Sequence, residues 1–427
     1  MKSNIWIPLA VGTGLLLAFP ALVSQPLVNA GIQMLIAALF ACAFNLLCGQ
    51  AGMLSFGHAA YFGIGTFATI HTMNAFGGTG LLPTPLMPLG GALIGLLTGG
   101  VAGWFATKRT GTYFAMITLA LAELLHALAP HLKGVFGGEA GIYAMRMPAW
   151  GISFGSSIEV YYLTLAWVFL SLLLLYLFTL TPMGRLSLGL RENSHRLKFL
   201  GYDVHRLSVT VFAISAMFAG VAGGLQALHT ESANYVLFEG HVSAAVVLNS
   251  YIGGVSAFLG PALGAVLMTF FGYAVSDLTR SWLLYQGLLF VLIMMFMPTG
   301  LIGVFKWLST SRKTYGTAQL LPLICLGLST GMILTAGVVF AVEMLQRVFS
   351  LDYRSMSALS PAAGWAPITL FGRDWLPNSI GTWIVPLSLL LVGVALTSRV
   401  TRMWRSLVDR VEHHRENSDA AIRRNEQ

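Results

Sequence analysis

The chain has 427 residues, of which 56% are hydrophobic and 9% charged, with a mean hydropathy of +0.75 and a formal net charge of +8. Soluble domains carry about 25% charged residues, so this chain lacks the charge to cover a water-facing surface. Its basic residues sit in short connections and at the C-terminus, a positive-inside pattern that excludes nucleic acid as the reason for the positive balance.

Apolar runs fall at about 5–23, 31–48, 52–76, 81–106, 112–129, 158–181, 207–228, 241–256, 259–275, 282–303, 320–343 and 379–397. Each is near the roughly 20 residues a helix needs to span a bilayer. The fold class is therefore all-α and polytopic, with about 10 transmembrane segments in a body and 2 more toward the C-terminus. Residues 1–30 hold the first segment, whose apolar run is longer than the core of a cleaved signal peptide. Residues 31–303 form the body and 304–319 a basic linker. A two-span extension follows at 320–397 and a charged tail at 398–427.

Charge sets the parity. The loop 182–206 carries Arg185, Arg191, Arg196, Lys198 and Arg206, and other short connections carry Lys2, Lys108, Arg109, Lys306, Arg312 and Lys313. Twelve crossings put all of these and the arginine-rich tail on the cytoplasmic side with both termini. Only Lys133, Arg146, Arg280, Arg347, Arg354 and Arg373 are then external. Counting 241–275 as one span would strand Lys306 or the 182–206 loop on the wrong side. Trp365 and Trp375, in an external connection, read as interfacial anchors.

Two glycine-rich breaks interrupt the apolar sequence. The early one runs from Gly49 through Gly52, Ser55 and Phe56 to His58, and the late one from Gly253 and Gly254 through Ser256 to Gly264. Unwound backbone at membrane depth is tolerated where it is packed in protein or lines a water-filled cavity, so Gly52, Ser55, Phe56, His58, Gly253, Gly254 and Ser256 are pathway candidates. Close helix packing through small residues is the competing reading. Glu123 joins the candidates as a carboxylate inside an apolar segment, with His126 one turn on as its expected partner. Cys42, Cys48 and Cys325 lie in apolar runs without metal or redox spacing and read as small buried hydrophobes.

In the loop 182–206, Leu190, Leu197 and Leu200 recur at helical spacing between charges. The pattern is that of a short amphipathic helix on the cytoplasmic face, suited to a groove on a partner protein or to lipid headgroups.

The same loop carries a resemblance. Gly184-Arg185, Leu190-Arg191-Glu192-Asn193, Leu200-Gly201 and Ala213-Ile214-Ser215-Ala216 resemble the LivM-type permeases of branched-chain amino acid ABC importers. Gly49 to Gly65, Ile117 to Ala120 with Glu123, Gly253 to Ala265, and Pro298 to Leu301 follow in the family's order, so the resemblance covers about 30–303. It implies half of a translocation pore, paired with a second permease subunit, two cytoplasmic ATPases that hold ATP and Mg, and an extracytoplasmic solute-binding protein. It implies a coupling loop with Arg185, Arg191, Glu192, Asn193 and Gly201, in a bacterial inner membrane. Ser194 to Phe199 is bulkier and more basic than the family's pattern.

No Gly-Lys dipeptide occurs, so the chain has no phosphate loop and no cofactor of its own is expected. It is read as no enzyme. A secondary transporter driven by an ion gradient through Glu123 is the alternative. Branched-chain amino acids, urea or amides, and aromatic acids all remain open as substrates.

Overall fold

A computed structural model describes residues 6–79, 81–297, 299–315, 317–351, 353–355 and 365–425, with side chains from 12 to 406 apart from Phe305 and residues 313–319. The chain divides into two compact units. One comprises Met1–Ala274 with Gln286–Val304, the other Val275–Tyr285 with Phe305–Gln427.

The helices run α1 Trp6–Leu22, α2 Gln25–Asn45, α3 Ala59–Phe76, α4 Pro88–Ala106, α5 Thr112–Leu128, α6 Lys133–Phe136, α7 Ser157–Leu180, α8 Pro182–Phe199, α9 Val204–Thr230, α10 Gly240–Gly253, α11 Gly260–Ser276, α12 Trp282–Phe296, α13 Gly300–Tyr315, α14 Thr317–Phe349 and α15 Ile380–Asn425. Two antiparallel pairs complete the fold: β1 Ile142–Tyr143 with β2 Ser232–Ala233, and β3 Ile368–Leu370 with β4 Arg373–Trp375.

Six helical stretches among the described residues are long and apolar enough to cross a membrane, or seven if α12 and α13, bent by 43°, make one span. The protein is a polytopic membrane protein. The sequence led us to expect twelve segments of spanning length, and several are shorter than that. At about 1.5 Å per residue, the 14-residue α10 covers only about 21 Å of a core roughly 30 Å thick. The uncertain run 241–275 forms two helices, α10 and α11, with a turn between them.

Small residues set the centre of the first unit. Gly91, Gly95, Gly99 and Gly103 fall every fourth residue along α4, and all are buried. They face Phe212, Ala213, Ala216 and Gly220 of α9 at distances that leave no room for a Cβ at Gly91, Gly95 and Gly99 and a tight fit at Gly103, while Gly65 of α3 also meets Gly220. Apolar side chains gain little by leaving lipid for one another, so such backbone approach is what holds helices together in a membrane. α1 joins through Phe19 stacked on Tyr161, whose hydroxyl donates to the Leu16 carbonyl at 2.9 Å.

The first unit has two distinct ends. At one, Thr107 after α4 meets His205 of α9 at 3.1 Å, and Gln50 donates to the Gly184 carbonyl of α8. At the other, Arg146 pairs with Glu231, Asn74 and Thr84 donate to the carbonyls of Tyr143 and Met147, and β1 pairs with β2.

In the second unit, Met344 packs with Ile368 and Leu370, and Phe340 lies edge-on to Trp375. Trp375 thus contributes to a small core, and its indole N–H donates to the Leu370 carbonyl. Cys325 is exposed on α14, contrary to expectation, whereas Cys42 and Cys48 are buried.

Candidate functional site

At the early break α2 loses its regular turn. Leu46–Gln50 is π-helical, and the chain is non-helical from Gly52 until α3 starts. Gly52, with φ +71°, closes the helix: its N–H donates to the Cys48 carbonyl and that of Met53 to the Leu47 carbonyl, each bond one residue longer than in a Schellman end because the last turn is π-helical. Gly49 faces the Asn45 side chain and the Val255 carbonyl with no room for a Cβ. The Phe56 N–H donates to Thr118 of α5, and that of Ala59 to Ser243 of α10.

The candidates here separate. Gly52 and Phe56 line a cavity of about 720 Å³ bounded also by Arg109, Thr112, Met116 and Leu119. Ser55 and His58 are fully buried. The His58 ring is enclosed by Phe40, Phe44, Tyr61 and Phe212, and its Nε2 lies 2.9 Å from Ser215 Oγ.

At the late break Gly254 has φ +107° and ends α10. A Cβ on Gly253 would overlap the Gly260 carbonyl, and one on Gly254 would lie 2.6 Å from the Thr299 carbonyl oxygen. Both glycines are packing positions. Ser256 lines a second cavity of about 270 Å³ together with Asn45, Gln50, Thr179 and Arg191. Residues of both breaks and of the basic loop thus share one chamber. Asn45 Oδ1 and Asn249 Oδ1 are buried without a partner.

The basic loop is helical over Pro182–Phe199 but kinks at Asn193, whose φ of −163° and ψ of 98° are extended. Asn193 Oδ1 accepts from the Arg196 N–H and so starts a second short turn. Thr181 caps the first half, and Asp203 caps α9 by accepting from the Arg206 N–H, which with the Arg206 guanidinium holds its carboxyl below the usual range. Leu197 is buried and Leu190 half-buried, as their spacing predicts. Leu200 is 65% exposed, because the helix ends at Phe199 and the chain turns at Gly201, φ +86°. Arg185, Arg191, Glu192 and Asn193 are exposed. Arg191 nevertheless engages its own chain: its guanidinium donates to the Gly49 carbonyl at 2.6 Å. This bond spans 142 positions, and no local pattern announces it.

Glu123 is exposed on α5, and its carboxylate lies against Gly240, where a Cβ would be 3.0 Å from Oε1. That seats it at the N-terminus of α10, where helix N–H groups favour negative charge. The expected pairing with His126 does not form. The His126 ring lies instead on Tyr235 at 5.7 Å, since the 3₁₀ turn Tyr235–Phe238 packs over that end of α5. Among the described residues no group of His, Cys, Asp and Glu is arranged to hold a metal.

The model of the branched-chain amino acid transport system permease component matches residues 27–298. The chain belongs to this family. It is 28% identical over 309 residues to the high-affinity branched-chain amino acid transport system permease protein LivM of Salmonella typhimurium, covering 67% of this chain and 72% of that one. It is 27% identical over 312 residues to LivM of Escherichia coli, with the same coverage. Against LivH of Salmonella typhimurium the identity is 23% over 62% of this chain and 91% of the other. No solved structure matches. As a permease component the chain is not itself catalytic, and in this family ATP is bound by partner ATPases. α1, α13, α14 and α15 lie outside the family match.

Proposed function

We propose that this permease crosses the inner membrane twelve times with both termini cytoplasmic. It forms half of an ATP-driven import pore, paired with a second permease of the same fold, two ATPases and an extracytoplasmic binding protein, and carries branched-chain amino acids. The observation that carries this reading is the junction of α8 with both glycine breaks around one chamber. A helix outside the membrane that touches the unwound segments directly is what ATP-driven gating needs. The alternation of the two ends of the first unit supports the topology, with Lys108, Arg109 and the basic α8 at one end and the β1–β2 pair at the other. Short helices such as α10 complete their crossings with the turns that follow them.

The exposed flank of the loop, with Arg185, Glu192, Asn193, Phe199 and Gly201, forms the ATPase-facing surface; Phe199 is 92% exposed outside any apolar run. Gly52, Phe56, Glu123 and Ser256 line the path. The test is reconstitution with the four partner subunits in proteoliposomes. Leucine uptake that requires ATP and the binding protein is expected. Uptake by the permease alone on a proton gradient would overturn the reading in favour of an ion-driven carrier.

A further inference from the structure

The way α2 ends leaves one carbonyl for a partner from elsewhere. The widened π-helical end takes the carbonyls of Leu47 and Cys48 and leaves that of Gly49, which at an exposed helix end would meet water. Here it meets the Arg191 guanidinium at 2.6 Å. A hydrogen bond from a charged donor is about twice as strong as a neutral one. Two further contacts bring α8 close. A Cβ on Gly52 would lie 3.0 to 3.1 Å from Arg191 Cα, Cβ and Cγ, and Gln50 Nε2 donates to the Gly184 carbonyl at 3.2 Å. On its other face Gly49 abuts the Val255 carbonyl of the late break without space for a side chain. The residue gripped by α8 is thus the one that joins the two breaks. The kink at Asn193 lets the halves of α8 turn separately, so Arg191 belongs to the half next to α2.

We infer that Arg191 is a positioning residue that transmits the movement of α8 to the pathway, through its bond to the Gly49 carbonyl, and is no part of the ATPase-docking surface. This rests on the import-pore reading above. Arg191 is exposed as a residue, but its guanidinium is already engaged by the backbone of its own chain, which a partner would have to displace.

The experiment uses the complete transporter in proteoliposomes, comparing wild type, Arg191→Ala, Arg191→Lys and Glu192→Ala. Three quantities are read: ATPase subunits co-purified per permease, ATP hydrolysed, and leucine taken up. For Arg191→Ala we expect native co-purification and a rise of about tenfold or more in ATP hydrolysed per leucine, the factor expected from losing one charge-assisted hydrogen bond. Arg191→Lys keeps a cationic donor of shorter reach and should fall between. Glu192→Ala should reduce co-purification without changing that ratio. A purely structural role would lower the yield of assembled transporter and leave the ratio native, which overturns the inference; so does loss of the ATPases from Arg191→Ala. If Arg191→Ala does not assemble, a native ratio in Arg191→Lys together with one in Gln50→Ala overturns it. Wild-type uptake that needs no ATPase defeats the import-pore reading instead.

Discussion

Gly65 of α3 and Gly220 of α9 meet backbone to backbone, and a Cβ on Gly65 would overlap the Gly220 Cα. From the other side the Gly91 carbonyl of α4 closes on the same residue, since a Cβ on Gly91 would lie 2.6 Å from the Gly220 carbonyl oxygen. Three helices therefore cross at one point with no side chain between them. Gly220→Ala must push at least one helix away, and overpacking of this kind costs about 1–3 kcal/mol. A fall in the thermal unfolding midpoint in detergent is expected, and an unchanged midpoint would show that the crossing is looser than its geometry.

Gly254 and Gly111 separate conformational strain from steric exclusion. Both have positive φ, +107° and +64°, a region that L side chains rarely adopt. Space around Gly111 is open, whereas a Cβ on Gly254 would lie 2.6 Å from the Thr299 carbonyl oxygen. Gly111→Ala should carry the backbone cost alone, about 1 kcal/mol. Gly254→Ala adds the clash and should lower the yield of monodisperse protein several-fold. Equal yields from the two variants would remove the Thr299 contact as a constraint.

How far the site was legible follows from the range of each signal. The apolar runs and the basic loop are local, and each run holds a helix, although residues 52–58 of one run are not helical and several helices are shorter than a span. Gly49, Gly52 and Gly254 were legible as breaks because glycine in an apolar run is itself conspicuous. Whether a break lines a cavity or is packed solid depends on what arrives from elsewhere: Thr299 against Gly254, Phe212 over His58. The Glu123–His126 pairing failed for the same reason, since Tyr235 and Gly240 come from more than a hundred residues away. The bond from Arg191 to Gly49 was hidden because Arg191 sits among other exposed charges of the same loop.

His58 and Ser215 form a buried polar pair whose proton placement can be worked out. Ser215 Oγ donates its only proton to the Ala43 carbonyl at 2.6 Å, so the 2.9 Å contact requires His58 Nε2–H to be the donor. Ser215→Ala leaves His58 Nε2–H unmatched among aromatic rings, while the Ala43 carbonyl stays within the helical ladder of α2. Each buried unmatched group costs about 1–3 kcal/mol, so a clear drop in unfolding midpoint is expected. Leucine uptake per folded transporter should stay native, because His58 touches neither cavity. A selective loss of uptake would return His58 to the pathway.

Glu343 of α14 organises a segment distant in sequence. It is 8% exposed, and its Oε1 accepts from Thr279 Oγ1 and from the Tyr285 hydroxyl at 3.0 Å, while Ser281 Oγ donates to Gln346 one turn further along α14. Thr279 lies within the family match and Glu343 beyond it, so residues outside the family's boundary hold a stretch inside it. Glu343→Gln keeps an oxygen for both hydroxyls and should leave amide hydrogen exchange over 275–285 close to native. Glu343→Leu leaves both hydroxyls without an acceptor, at about 1–3 kcal/mol each, and exchange there should quicken tenfold or more. Native exchange in the leucine variant would mean that apolar packing alone holds the segment. Faster exchange only in that variant assigns the hold to the carboxylate oxygen, because glutamine matches its shape and its acceptor but not its charge.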